Sequence, residues 1–156
     1  MEATKQALKQ MIGELGSRTE DQRWAVTLNF HRETTPETAT RVIRRWSGYV
    51  DAKLLGSKWA KKPSSERIDG LLVPEERGQL TNELHYHGVV TVAPRHSHHM
   101  FFAKATKGWK GLVASGTSYL VPIYDEHVWA RYIVKICNAW AAANYVFLRE
   151  FHTASR

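Results

Sequence analysis

Apolar and polar residues alternate over "WAVTLNFH": Trp24, Val26, Leu28 and Phe30 fall on one side, Ala25, Thr27, Asn29 and His31 on the other. A period of two predicts a strand with one face buried. The period then changes. Thr35 followed by Pro36 is a helix start, and Ala39, Val42, Ile43, Trp46 and Val50 continue at steps of three and four. "RIDGLLVPEE" and "ELHYHGVVTVA", joined by the polar "RGQLTN", read as an antiparallel pair of strands. "SHHMFFAKATKGW" reads as a helix, "TSYLVPIY" as a strand, "DEHVWARYIVKICNAW" as a helix and "NYVFLREFH" as a last strand. Ahead of these, Ala7, Leu8, Met11, Ile12 and Leu15 keep helical spacing up to Gly16, which predicts a short amphipathic helix laid on the domain.

The order β-α-β-β-α-β with an added α-β predicts an α+β fold, an antiparallel sheet of about five strands with ferredoxin-like (split βαβ) topology. Residues 1–22 are the expected N-terminal helix and connector, and 23–156 one globular domain. Both crossover helices should cover one face of the sheet, leaving the other for a site or for the added helix. In the second hairpin strand Leu84, Tyr86, Val90 and Val92 belong to the covered face, while His85, His87, Val89 and Thr91 share the open one with Thr27, Asn29 and His31.

Composition narrows the partner. The chain has 156 residues, enough for one core without staples. Lys plus Arg number 22 against 15 Asp plus Glu, a net charge of +7, which favours a polyanionic partner: nucleic acid first, an anionic membrane surface second. No apolar run approaches the ~18 residues of a membrane span, and "MEATKQALKQ" lacks the features of a secretory signal, so a soluble intracellular protein is expected. The single Cys137, among apolar neighbours at helical spacing, reads as a small buried hydrophobe.

Candidate chemistry concentrates in "ELHYHGVV". His85 and His87 flank one residue, so a strand points both imidazoles out of one face, a common metal-ligand spacing. Glu75, Glu76 and Glu83 are the nearby carboxylates; a hydrogen-bonded histidine pair without an ion is the alternative. On the helix after residue 125, Trp129, Ile133, Ile136 and Trp140 define the buried stripe. With Trp129 at zero, Tyr132 falls at about 300° and Lys135 at about 240°, on a flank that can face a cleft.

"LHYHGVV" resembles the histidine-hydrophobic-histidine motif of HUH endonucleases, and "YIVK", Tyr132 to Lys135, resembles the YxxK motif of their rolling-circle replication initiators. "VTLNF", residues 26–30, is similar to the first motif of those initiators, a strand near the active site, and places Asn29 among the DNA contacts. The resemblance spans about residues 23–152 in the family's order, and the tyrosine follows the histidines, as in replication initiators and small single-tyrosine transposases. It implies a metal-dependent cut in single-stranded DNA that leaves the protein on the 5′ phosphate, with Tyr132 as nucleophile, Lys135 beside it, and Mg²⁺ or Mn²⁺ on His85, His87 and a glutamate. Glu76 is the expected third ligand and Glu83 the reserve. An ordinary phenol is ionised about one part in a thousand at neutral pH, a deficit of about 4 kcal/mol, which a divalent ion at the scissile phosphate and a nearby ammonium would help to offset. The phosphotyrosine keeps much of the energy of the broken bond, so a free 3′ hydroxyl can reverse the attack and rejoin the strand.

Cations with aromatic neighbours in "SKWAKK" and "KATKGWKG" predict a single-strand groove: Lys58, Lys61, Lys62, Lys107 and Lys110 for phosphates, Trp59 and Trp109 for unstacked bases. Trp46, on an apolar stripe, is expected in the core. "RHSHH", residues 95–99, reads as solvated, and Tyr49, Tyr119, Tyr124 and Tyr145 as packing residues. As an initiator the protein would meet single-stranded DNA at a replication origin that carries a hairpin, without a membrane, alongside a helicase domain or host replication proteins. The compartment would be the cytoplasm for a bacterial plasmid or phage, or the host nucleus for a virus. A transposase of the same chemistry, or a noncatalytic nucleic-acid-binding module with a structural metal, are the alternatives.

Overall fold

The alternation around residues 24–30 becomes an interior strand of a sheet, paired on both sides. In the computed structural model, which describes residues 2–76, 84–139 and 145–153, the elements are α1 (Glu2–Ser17), β1 (Gln22–Asn29), α2 (Pro36–Leu55), a 3-10 turn (Trp59–Lys61), β2 (Asp69–Glu76), β3 (Leu84–Val92), α3 (His98–Leu112), β4 (Thr117–Pro122), α4 (Glu126–Ala139), β5 (Val146–Phe147) and α5 (Leu148–Thr153). The side chains of Ala7, Leu8, Met11, Glu76, Ile133, Ile136 and Cys137 lie outside that description, as do Glu83 and Trp140. The fold is α+β, with an open five-stranded sheet ordered β4-β1-β3-β2-β5 and every neighbouring pair antiparallel.

The two faces follow the alternation. Trp24, Val26, Leu28 and Phe30 join Tyr86, Val90 and Val92 in a core closed by Ala39, Ile43, Trp46 and Val50 of α2 and Phe101, Ala105 and Trp109 of α3. Helix α2 starts as its sequence predicts: Pro36 opens it, and the Thr35 hydroxyl accepts a hydrogen bond from the Thr38 N–H at 3.2 Å. Helices α2 and α3 approach closely because position 108 has no side chain; a Cβ on Gly108 would lie 2.5 Å from Cδ1 of Tyr49.

The other face carries Ala25, Leu71, Val73, Val89 and Phe147, covered by Leu15 of α1 and Trp129 of α4. Arg23 of β1 fixes the start of α4. It donates to Oε1 of Glu126 at 2.7 Å, and its guanidinium sits 4.5 Å from the centre of the Trp129 ring. This face, expected to be free for a site or for the added helix, carries the added helix α4 together with His85 and His87.

The expected last strand is shorter than its sequence suggests. "NYVFLREFH" pairs with β2 only at Val146 and Phe147, and from Leu148 the chain turns helical. Leu148 and Phe151, three apart, then both pack on the first core. Short apolar runs fit either period. Buried ion pairs tie this end down: Asp51 accepts from Nε of Arg67 and from the Ile68 N–H, both at 2.9 Å, and Asp69 accepts from Nε of Arg149 at 2.8 Å. Burial pushes both carboxyls up to about 6. Among the described residues no helix is long and apolar enough to cross a membrane.

Candidate metal centre

The register places the candidate residues in two rows across the second face. One row runs Glu75, His85, Asn29, Thr117 from β2 through β3 and β1 to β4; the next runs Val73, His87, Thr27, Tyr119. Partners directly opposite in an antiparallel ladder, and residues two apart along a strand, share a face. Seven polar side chains therefore share the end of the sheet where β1 stops and β4 begins.

Within the rows, Oε2 of Glu75 lies 3.3 Å from Nε2 of His85 and 3.0 Å from Nδ1 of His87. The three groups offer ligand atoms within 4.8 Å of one another and can hold a metal ion. Both imidazoles are buried, 4 % and 7 % exposed. Nδ1 of His85 and both ring nitrogens of His87 have no hydrogen-bond partner; the short contact to Glu75 is not aligned as one. Buried ring nitrogens left unpaired cost free energy unless a cation or water takes them, so their chemistry fits a metal better than it fits a hydrogen-bonded pair. Burial lowers the His87 pKa, opposed by Glu75 and helped by the charges of Lys135 and His85. The neutral form that a ligand must have is thereby favoured.

The described carboxylate at the histidines is Glu75; the side chain of the expected Glu76 lies outside the described residues, and the register sets the two positions apart. Glu75 stands opposite His85, whereas Glu76 stands opposite Leu84, a residue of the other core. Glu83, the reserve, lies outside the described residues.

Helix α4 passes over the same face. Tyr132 is half-buried against the cluster of Val73, Val89 and Trp129, and exposed Lys135 is close enough for its charge to act on His87. Tyr86, between the histidines, turns to the first core, fully buried, and burial pushes its hydroxyl up to about 12.

Two tyrosines read as packing residues are exposed instead. Tyr119 is 69 % and Tyr124 is 79 % exposed. Tyr119 faces the site because its neighbour Leu120 fills the core, so alternation in "TSYLVP" carried the signal. His31, also on this side, adopts a left-handed φ of 51°. Its N–H donates to Oδ1 of Asn29 at 2.9 Å, and its Nε2 lies 2.8 Å from the Thr117 hydroxyl. The "RHSHH" segment stays apart from the metal cluster: Ser97 caps α3, and His98 and His99 are exposed.

The expected single-strand groove divides. Trp109 is not in a loop; it is fully buried in α3, four residues after Ala105 and eight after Phe101, edge-on to Phe30 and Trp46. Its Nε1 donates to the Asn29 carbonyl at 3.2 Å, so a base cannot stack on it. Lys107 and Lys110 of the same helix are exposed, and Nζ of Lys110 reaches the Gly116 carbonyl at 3.4 Å, next to Thr117 of the site row. Lys58, Trp59, Lys61 and Lys62 lie in the connection from α2 to β2, with Trp59 half-buried. No family model, curated protein or solved structure matches the chain.

Proposed function

We propose that the protein is a metal-dependent nuclease and strand transferase that nicks and rejoins single-stranded DNA through a 5′-phosphotyrosine, as a single-tyrosine rolling-circle replication initiator of the HUH type. The observation that carries the reading is the unpaired Glu75–His85–His87 cluster on the sheet face that α4 crosses with Tyr132 and Lys135. The strand order β4-β1-β3-β2, with α2 and α3 on the other face, supports it as the arrangement of a ferredoxin-like sheet.

In this reading the Tyr132 oxygen attacks the scissile phosphorus and forms the tyrosyl–phosphate bond. The P–O3′ bond breaks, the 3′ oxygen leaves as a hydroxyl after taking a proton, and the phenolic proton passes to solvent. A divalent ion held by Glu75, His85 and His87 would neutralise charge on the non-bridging oxygens; two imidazoles and one carboxylate suit Mn²⁺ better than Mg²⁺, which prefers oxygen throughout. Lys135 contributes positive charge beside the phenolate and the phosphate, lowering the cost of ionising the one and approaching the other. Thr27, Asn29, Thr117 and Tyr119 form a polar floor beside the ion on which a strand can lie.

Incubating the protein with a randomised single-stranded library and Mn²⁺ tests the reading and reports the target sequence at once. Cleavage with a protein–DNA adduct that survives denaturing electrophoresis is expected from the wild type and not from Tyr132→Phe. Tight DNA binding with neither cleavage nor adduct would leave a noncatalytic module.

A further inference from the structure

Away from the candidate metal centre, a cavity combines aromatic walls with positive charge at its rim. It has a volume of about 550 Å³ and lies between α2, α5 and the turn at Trp59. Its floor is a notch in α2, where Gly48 and Ala52 follow one another by a turn. Gly48 lets the Trp59 ring lie against α2, since a Cβ there would come within 3.1 Å of that ring. Tyr49, Trp59 and Phe151 give the walls flat surfaces.

The cations are arranged around those rings. The guanidinium of Arg67 sits 5.1 Å from the centre of Trp59, and that of Arg44 5.9 Å from the centre of Phe151. Arg67 is buried, and its charge is met by Asp51 at 2.9 Å. Arg44 and Arg45, exposed at the rim, enter none of the ion pairs of the described residues. Two positive charges therefore remain over a cavity whose size falls in the range of small-molecule sites.

This cavity is separate from the metal centre. Arg67 lies two residues before β2 begins at Asp69, and Glu75 is near its far end, so about 20 Å of strand separates the cavity from the histidines. The cavity also adjoins the core of α2 and α3, while the histidines belong to the opposite face of the sheet.

We propose that this cavity is a second binding site for one nucleotide unit, with its base against Trp59 and Phe151 and its phosphate on Arg44 and Arg45. A flat, weakly polar ring matches the walls, and a dianionic phosphate matches the rim. Lys58, Lys61 and Lys62, in the same connection as Trp59, extend the positive surface along which a strand would continue. The unit can come from a free nucleotide or from a single strand.

Calorimetric titration of the whole chain with dAMP, deoxyadenosine, inorganic phosphate and the pentanucleotide of deoxyadenylate tests the proposal. Saturable dAMP binding at least about tenfold tighter than either deoxyadenosine or phosphate is expected. Arg44→Ala/Arg45→Ala, exposed positions that keep the fold, should weaken dAMP by about tenfold or more, and Gly48→Leu should abolish binding by displacing the Trp59 ring that forms a wall. His85→Ala should bind dAMP as the wild type does, which separates this site from the metal reading. Pentanucleotide binding tighter than dAMP, lost in the same arginine variant, identifies a strand as the source; equal affinities identify the free nucleotide. No saturable dAMP binding, phosphate binding as tightly as dAMP, or full affinity in the arginine variant overturns the proposal.

Discussion

Glu75 and His85 face one another across the β2–β3 ladder, Oε2 to Nε2 at 3.3 Å, and His87 meets the same oxygen at 3.0 Å. One carboxylate oxygen thus serves two imidazoles that stand two residues apart on a single strand. Such an oxygen is a poor acceptor for both rings at once and a natural corner of a three-ligand site.

The first prediction separates neighbouring glutamates. Glu75→Ala should weaken Mn²⁺ binding, measured by calorimetry, by at least about tenfold to a hundredfold, since even outer-shell partners of metal ligands commonly cost that much. Glu76→Ala should leave Mn²⁺ affinity unchanged, because register sets residue 76 opposite Leu84. His87→Ala should behave as Glu75→Ala does. The reverse ranking of the two glutamate variants would return the ligand to residue 76.

The second concerns Trp109. Its side chain is wholly buried among Phe30, Trp46 and the helices, so Trp109→Ala should destabilise the fold by about 3–5 kcal/mol in urea unfolding. DNA affinity per folded molecule should not change. A stable Trp109→Ala protein with weak single-strand binding would restore the ring to the DNA surface.

The third concerns pH. His152 lies between the Ser64 hydroxyl, 2.8 Å from Nδ1, and the Ile68 carbonyl, 3.0 Å from Nε2. Those partners suit a neutral ring that donates from Nε2. Burial first, then the neighbouring charges of Arg67, Arg149 and Arg18, lower its pKa to about 4. A pKa lowered on folding contributes stability that is full above about 6.5 and is lost as pH falls through about 4. Asp51 and Asp69, raised to about 6, act with the opposite sign, but they are present in both proteins compared. The stability advantage of wild type over His152→Gln should therefore shrink by about 1 kcal/mol between pH 7 and pH 4, a figure reduced for the ring's partial exposure. An advantage independent of pH over that range would contradict the neutral assignment.

Much of this layout is legible in the sequence, for a physical reason. Strict alternation over residues 24–30 and 84–92 fixes which side chains share a face before any partner is known, and it sends His85, His87, Thr27 and Asn29 to one side. Pairing register is another matter. It depends on the turn between β2 and β3, so Glu75 and Glu76 could be told apart only once Glu75 is seen opposite His85. Trp109 misled because Gly108, Gly111 and three lysines make "KATKGWKG" look like a loop; yet glycine at 108 is what lets α3 lie against Tyr49, and Trp109 keeps step with Phe101 and Ala105. Tyr119 was hidden by the opposite error. Its edge strand has one buried neighbour, Leu120, and nothing covers Tyr119 itself, which is 69 % exposed.

The fourth prediction weighs the residues beside the candidate metal centre. Tyr119→Phe should retain adduct formation, because Tyr119 belongs to the floor on β4 and keeps its ring in that variant. Lys135→Ala should slow adduct formation on saturating DNA by about ten- to a hundredfold while weakening binding far less, the signature of charge used at the transition state. Equal losses in rate and affinity would make Lys135 a tether for the strand.

The central claim is that Tyr132 becomes covalently joined to DNA at an ion held by Glu75, His85 and His87. Mass spectrometry of proteolysed protein, after incubation with single-stranded DNA and Mn²⁺, reads it directly. The account predicts a nucleotide-bearing peptide modified at Tyr132, absent when chelator is added and absent from His87→Ala; a modification at Tyr119 or Tyr124, or an adduct at Tyr132 that forms undiminished in excess chelator, would contradict it.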